Sequence, residues 1–131
     1  MKEIESAGLL SWLAYDQSNV TQIRLSGKTV IHYKDELCRE HWEKTTHHSR
    51  RAYMLPEGPG VEIADPGHGM SSDLEAFQYS MEKSEAGFQH FAVVETTVDW
   101  MEWYFTHHTG NRRAVFEYAS GEIIKSCWQT P

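Results

Sequence analysis

Hydrophobic and polar positions alternate in the first third of the chain. Across residues 20–25, Thr21, Ile23 and Leu25 interleave with Gln22 and Arg24, the period-two pattern of a strand with one inward and one wet face. Residues 9–15 and 29–33 are short apolar and β-branched runs set off by the turn clusters Asp16-Gln17-Ser18-Asn19 and Ser26-Gly27-Lys28. Three meandering strands are the economical reading, although Ile4, Leu9, Leu10, Trp12 and Leu13 also fit one helical face. After Tyr33 the period lengthens. Leu37, Cys38, His41, Trp42 and Thr45 recur at helical spacing behind Asp35, a good N-cap, and predict a helix ending near His47 or His48.

Residues 49–70 hold Pro56, Pro59 and Pro66 with Gly58, Gly60, Gly67 and Gly69, an irregular connection long enough to be functional, with room for a short strand at 61–64. Ser72 followed by Glu75 reads as a capping box opening a second helix, with Leu74, Phe77 and Met81 on one face and Gly87 as its stop. Residues 88–97, 98–107, 113–119 and 122–128 read as four more strands, divided by Thr109-Gly110-Asn111 and Ser120-Gly121. In the second of them Met101, Trp103 and Phe105 share one face and Trp100, Glu102 and Tyr104 the other. The predicted order is β-β-β-α-loop-α-β-β-β-β. That is an α+β fold with a mostly antiparallel sheet of about six to seven strands and two helices, in a single domain over 1–131.

Composition keeps this reading within one folded domain. The chain has 131 residues and a formal net charge of −7, and its five Trp, six Tyr and five Phe supply the burial that a modest aliphatic content does not. Cys38 and Cys127 form no CxxC pair and are read as reduced, buried thiols. Lys2 stands beside Glu3 and Glu5, residues 9–15 are too short for a signal segment, and nothing approaches a membrane span, so a cytoplasmic protein is expected. The charge is unevenly placed: residues 52–111 hold ten acids and one base, Lys83. A block of that sign attracts cationic partners and repels phosphate backbones.

Candidate chemistry is sparse. Glu43 and His47 stand four apart, but no third metal ligand sits at a fixed offset, so neither a metal nor another cofactor is expected. Asp65-Pro66-Gly67-His68-Gly69 brings an acid and an imidazole into one tight loop and reads as a turn. Arg50-Arg51 and Arg112-Arg113 are the basic doublets, and pairing with the acidic block is their natural use. His47-His48-Ser49 and His107-His108-Thr109 both spell H-x-[ST]. The repeated motif resembles the signature of two-histidine phosphoesterases. The resemblance implies His48, Ser49, His107 and Thr109 flanking a cyclic or oligonucleotide phosphodiester from two strands, one imidazole as base and the other as acid.

Three function classes follow. By size and charge the chain is similar in type to toxin-immunity proteins and phage-encoded inhibitors of host defence. On that reading it inhibits a nuclease or nucleic-acid-binding target by occupying its basic surface. Glu95, Asp99 and Glu102 would then steer the basic protein partner, with Trp100, Trp103 and Tyr104 as anchors. Direct nucleic-acid or membrane binding is not expected, and a homodimer is allowed. The alternatives are the phosphoesterase and an oligomeric small-molecule-binding domain.

Overall fold

The computed structural model describes residues 8–131. Lys2, Glu3, Glu5 and the Ile4 of the helical alternative lie outside them. The chain packs as two compact units, one formed by Met1–Ile31 with Val94–Pro131 and the other by His32–Val93.

The first unit is a five-stranded sheet in the order β1-β2-β3-β4-β5. Its strands are β1 (Leu9–Asp16), β2 (Thr21–His32), β3 (Val93–Phe105), β4 (Arg112–Ala119) and β5 (Glu122–Gln129). β1 pairs antiparallel with β2, β3 with β4, and β4 with β5. The α+β class with an antiparallel sheet therefore holds, while the count of six to seven strands is corrected to five among the described residues.

Both lost strands were mergers. Ser26-Gly27-Lys28 was expected to turn the chain, yet β2 runs straight through it. A Cβ on Gly27 would run into the carbonyl of Thr97 on β3, so this glycine answers a close backbone approach instead of a reversal. The two strands expected over 88–97 and 98–107 likewise resolve into one, β3, because no glycine, proline or turn pair interrupts 93–105, while 88–90 belong to a 3-10 segment. The genuine reversals are chemically explicit. Asp16 accepts from the amides of Ser18 and Asn19 and from the Asn19 side chain, closing the first hairpin. Ser120 and Gly121 both take positive φ, the conformation of a two-residue hairpin turn whose twist matches its strands.

Among the described residues the α-helices lie in the second unit and are four short ones, not two. α1 (Glu36–Glu43) starts where expected, with the Asp35 carboxylate accepting from the Cys38 amide. It stops at Lys44, and Thr46 caps a separate α2 (His47–Arg50). The expected second helix is broken into α3 (Ser72–Glu75), capped by Ser71, and α4 (Met81–Ser84), capped by Ser80. The break falls at Phe77, whose φ of +57° no helix tolerates. Residues 61–64 form no strand. Gly87 does not terminate a helix either: it lies buried in a 3-10 segment, Glu85–His90, where a Cβ would sit 3.1 Å from both the Trp42 ring and Tyr53. That crowding marks the core of this unit. Trp42 is fully buried against Tyr53, Phe88 and Phe91, with ring centroids 5.3 to 6.0 Å away. Such ring pairs add about 0.5–1.5 kcal/mol each beyond area burial.

Candidate functional site

The register of β3, β4 and β5 sorts their side chains onto two faces. Met101, Trp103, Ala114, Phe116, Ser126 and Trp128 share one, while Trp100, Glu102, Tyr104, Arg113 and Val115 share the other. Each face carries a cleft, and the two differ in chemistry.

The polar cleft encloses about 330 Å³ and is lined by Tyr15, Gln22, Arg24, Glu102, Tyr104, Thr106 and Arg113. Four strand segments converge on it. The first hairpin pairs Tyr15 with Gln22 and Leu13 with Arg24, and β3 and β4 pair Tyr104 with Arg113. Glu102 forms the floor and is only 3 % exposed. Arg113 grips one of its oxygens with two nitrogens, Nε at 2.7 Å and Nη2 at 2.6 Å. Among the described residues the other oxygen receives only Arg24 Nη1, at 3.4 Å. A buried carboxylate needs such partners, because an isolated one would be heavily penalised by desolvation.

Among the described residues of the cleft two arginines face one carboxylate. Glu102 is satisfied by Arg113, and the Arg24 side chain, 53 % exposed, stands at the mouth with a single long contact and its guanidinium 5.9 Å from the Trp100 ring centre. Tyr15, Gln22 and Thr106 surround it with hydroxyl and amide groups. Tyr104 is held by a hydrogen bond from the Asn111 side chain to its hydroxyl, 2.9 Å. The arrangement suits an anionic group next to a flat ring: a charged donor, several neutral hydrogen-bonding groups and two tyrosine rings.

The opposite cleft is larger, about 570 Å³, and apolar, lined by Met101, Trp103, Ala114, Phe116, Ser126, Cys127 and Trp128. Trp103 meets Trp128 edge-on at 6.0 Å and lies parallel to Phe105 at 5.8 Å. It has shape and apolar surface but almost no group to orient a polar ligand.

The residues expected to bind a protein partner fall in several places. Glu95 and Asp99 are exposed on β3. Glu102 is buried under two arginines and cannot steer a distant partner. Trp100 and Tyr104 face the polar side, Trp103 the apolar cleft, so the anchors do not form one patch. Arg113, from a doublet expected to pair with the acidic block, does so through Glu102, and Arg50 does so with Glu85 at 2.6 Å.

The H-x-[ST] motifs serve local structure. His107 and Thr109 are hydrogen-bonded to each other at 2.7 Å in the turn after β3. His48 and Ser49 sit on α2, a helix where the resemblance implies a strand; His48 stacks on Phe77 at 4.8 Å and Ser49 donates its amide to the Thr46 cap. His68 lies 3.4 Å from Glu75 rather than engaging Asp65. Among the described residues no His, Cys, Asp and Glu cluster could hold a metal ion. No helix among them is long and apolar enough to cross a membrane. The sequence reading missed Tyr15, Gln22, Arg24, Thr106 and Arg113 as a set. Their signal was Arg24 on the wet face of an alternating strand, with Gln22 beside it and Tyr15 across the hairpin.

No protein-family model and no curated protein matches the sequence. Solved structures do share its fold. A pyridoxamine 5′-phosphate oxidase-related, FMN-binding protein from Nostoc punctiforme PCC 73102 superposes with a TM-score of 0.71 at 13 % identity, covering 99 % of this chain and 66 % of its own. PhzG from Burkholderia lata 383, in complex with tetrahydrophenazine-1-carboxylic acid, superposes with a TM-score of 0.63 at 17 % identity, covering 99 % of this chain and 62 % of its own. This chain thus spans slightly under two thirds of either neighbour. This likeness corrects the expected inhibitor of toxin-immunity or anti-defence type and its basic protein partner: the first neighbour is an FMN-binding protein and the second is in complex with tetrahydrophenazine-1-carboxylic acid.

Proposed function

We propose that the chain is a small-molecule-binding domain whose ligand is a flat aromatic ring system carrying an anionic group, seated in the polar cleft of the sheet. FMN and a tetrahydrophenazine carboxylate, the ligands of the two structural neighbours, are both of this class. The observation that carries the reading is Arg24, a cation with one 3.4 Å contact at the mouth of a cleft whose buried acid is already satisfied by Arg113. The residues present fit such a group. Arg24 would meet its anion, Thr106 and Gln22 its remaining polar atoms, and Tyr15 and Tyr104 the edges or faces of its ring. A flavin, when bound, supplies reversible electron transfer at its ring.

What the chain's own residues do is bind and orient. Glu102 holds Arg113 in place and sets the depth of the cleft, and Asn111 fixes the Tyr104 hydroxyl. The cleft is open at its rim, where Leu13 and Tyr15 on the edge strand β1 are exposed. That apolar rim supports the oligomeric form of the reading, in which a second copy covers it and excludes water from the ligand.

FMN added to the purified protein is expected to lose fluorescence saturably, and Arg24→Gln to weaken binding about 10- to 100-fold, the worth of one hydrogen bond to a charged group. Absence of saturable binding by both FMN and phenazine-1-carboxylate overturns the proposal. Light scattering on the same sample reads the oligomer.

A further inference from the structure

The hydrogen bonds that reach Tyr104 run in one direction. They begin in the turn between β3 and β4, where the backbone N–H of His107, which can only donate, meets Asn111 Oδ1 at 3.1 Å. That contact fixes which end of the amide is which, so the nitrogen is the end turned toward the tyrosine, and Nδ2 donates to the phenol oxygen at 2.9 Å. The Gly110 amide closes the same turn on the His107 carbonyl, at 3.0 Å. A phenol that accepts on one side keeps its own proton to give on another. Tyr104 lines the polar cleft, so that proton is available to a ligand there.

The direction matters because other groups of the cleft impose none. Tyr15, Gln22 and Thr106 can each give or accept a hydrogen bond, whereas Arg24 can only give. We propose that Asn111 is a positioning residue that makes Tyr104 a second obligatory donor of the cleft, so that the ligand atom seated against this phenol is an acceptor: a phosphate or carboxylate oxygen, a ring carbonyl or an unprotonated ring nitrogen. The inference rests on the ring-binding reading of the cleft and narrows it. A ring that presents an N–H or amino group at this position is refused, because two donors then meet with no acceptor between them.

Asn111→Asp tests the direction with the least change of shape. Its carboxylate accepts from the His107 amide as before and also from the Tyr104 hydroxyl, which reverses the phenol. In the ligand-free protein the tyrosine doublet of the Raman spectrum reads this reversal, because its intensity ratio falls when a phenol gives its proton to a carboxylate. That fall is expected on going from wild type to Asn111→Asp, and it should vanish in a Tyr104→Phe background. With FMN as the probe, Asn111→Asp should weaken binding about tenfold, the worth of one hydrogen bond. It should cost little once Tyr104 is Phe, whereas plain repulsion by the new charge would persist there. Asn111→Ala, which releases the phenol without reversing it, should cost less than Asn111→Asp. An unchanged doublet, an equal FMN loss in both backgrounds, or a greater loss for Ala overturns the proposal. If wild type binds neither FMN nor phenazine-1-carboxylate, the ring-binding reading fails by itself, and the doublet still decides the direction of the phenol.

Discussion

Removing the Glu102 carboxylate leaves Arg24 and Arg113 facing each other across the cleft floor with no counter-charge. Because both arginines retain some solvent, the cost of Glu102→Ala falls below that of a fully buried orphan charge, at about 2–4 kcal/mol in urea unfolding followed by Trp fluorescence. Glu102→Gln keeps an acceptor for Arg113 and should cost less. A larger loss for Gln than for Ala would contradict this account of the floor. Glu85 plays the matching part in the helical unit, accepting from Arg39, Trp42 and Arg50. Partial burial pushes its carboxyl up, but the three hydrogen bonds, Arg39 first, outweigh this and hold it below the usual carboxylate value. Stability from such a group is fully present above its ordinary pKa of 4.5 and is lost as pH falls through the lowered folded value. Thermal melts of wild type and Glu85→Gln should therefore differ most at neutral pH and converge in acid. A gap that widens on acidification would reverse the assigned sign.

Among the elements, β2 depends on one glycine. Gly27→Ala forces a methyl into the backbone of β3, which cannot swing aside as a side chain would, so destabilisation should exceed the ~1–3 kcal/mol of ordinary overpacking. A melt within 2 °C of wild type would show that the strands do not meet so closely there. This position also shows where reading the sequence reached its limit. Ser26-Gly27-Lys28 has turn chemistry, and only the neighbouring strand, remote in sequence, decides that its glycine serves a close approach. Local signals did carry the α+β class, the Asp35 cap, the Asp16 and Ser120-Gly121 hairpins, and the two faces of residues 100–105. Helix lengths did not follow from periodicity, because Thr46 and Ser80 each begin a new short helix within one apparent repeat. The candidate site was legible only in fragments: Arg24 and Gln22 share a strand, but their meeting with Glu102 requires β2 beside β3.

On the scale of the whole molecule, the acidic block of residues 52–111 was expected to reach outward to a partner. Its members instead include Glu85 and Glu102, each spent on arginines inside its own unit, and Glu75, which lies beside His68. Charge summed along a sequence does not say how much of it remains to act at a distance. What remains at the polar cleft is a positive excess at Arg24, opposite in sign to the block that contains Glu102. The central claim is therefore an anion-selective, ring-binding cleft, and paired calorimetric titrations with FMN and with riboflavin, which has the same ring and no phosphate, test it most directly. FMN is expected to bind at least tenfold more tightly than riboflavin, with the difference abolished by Arg24→Gln and reduced by salt. Equal affinities for the two flavins, or an FMN preference untouched by Arg24→Gln, would contradict it.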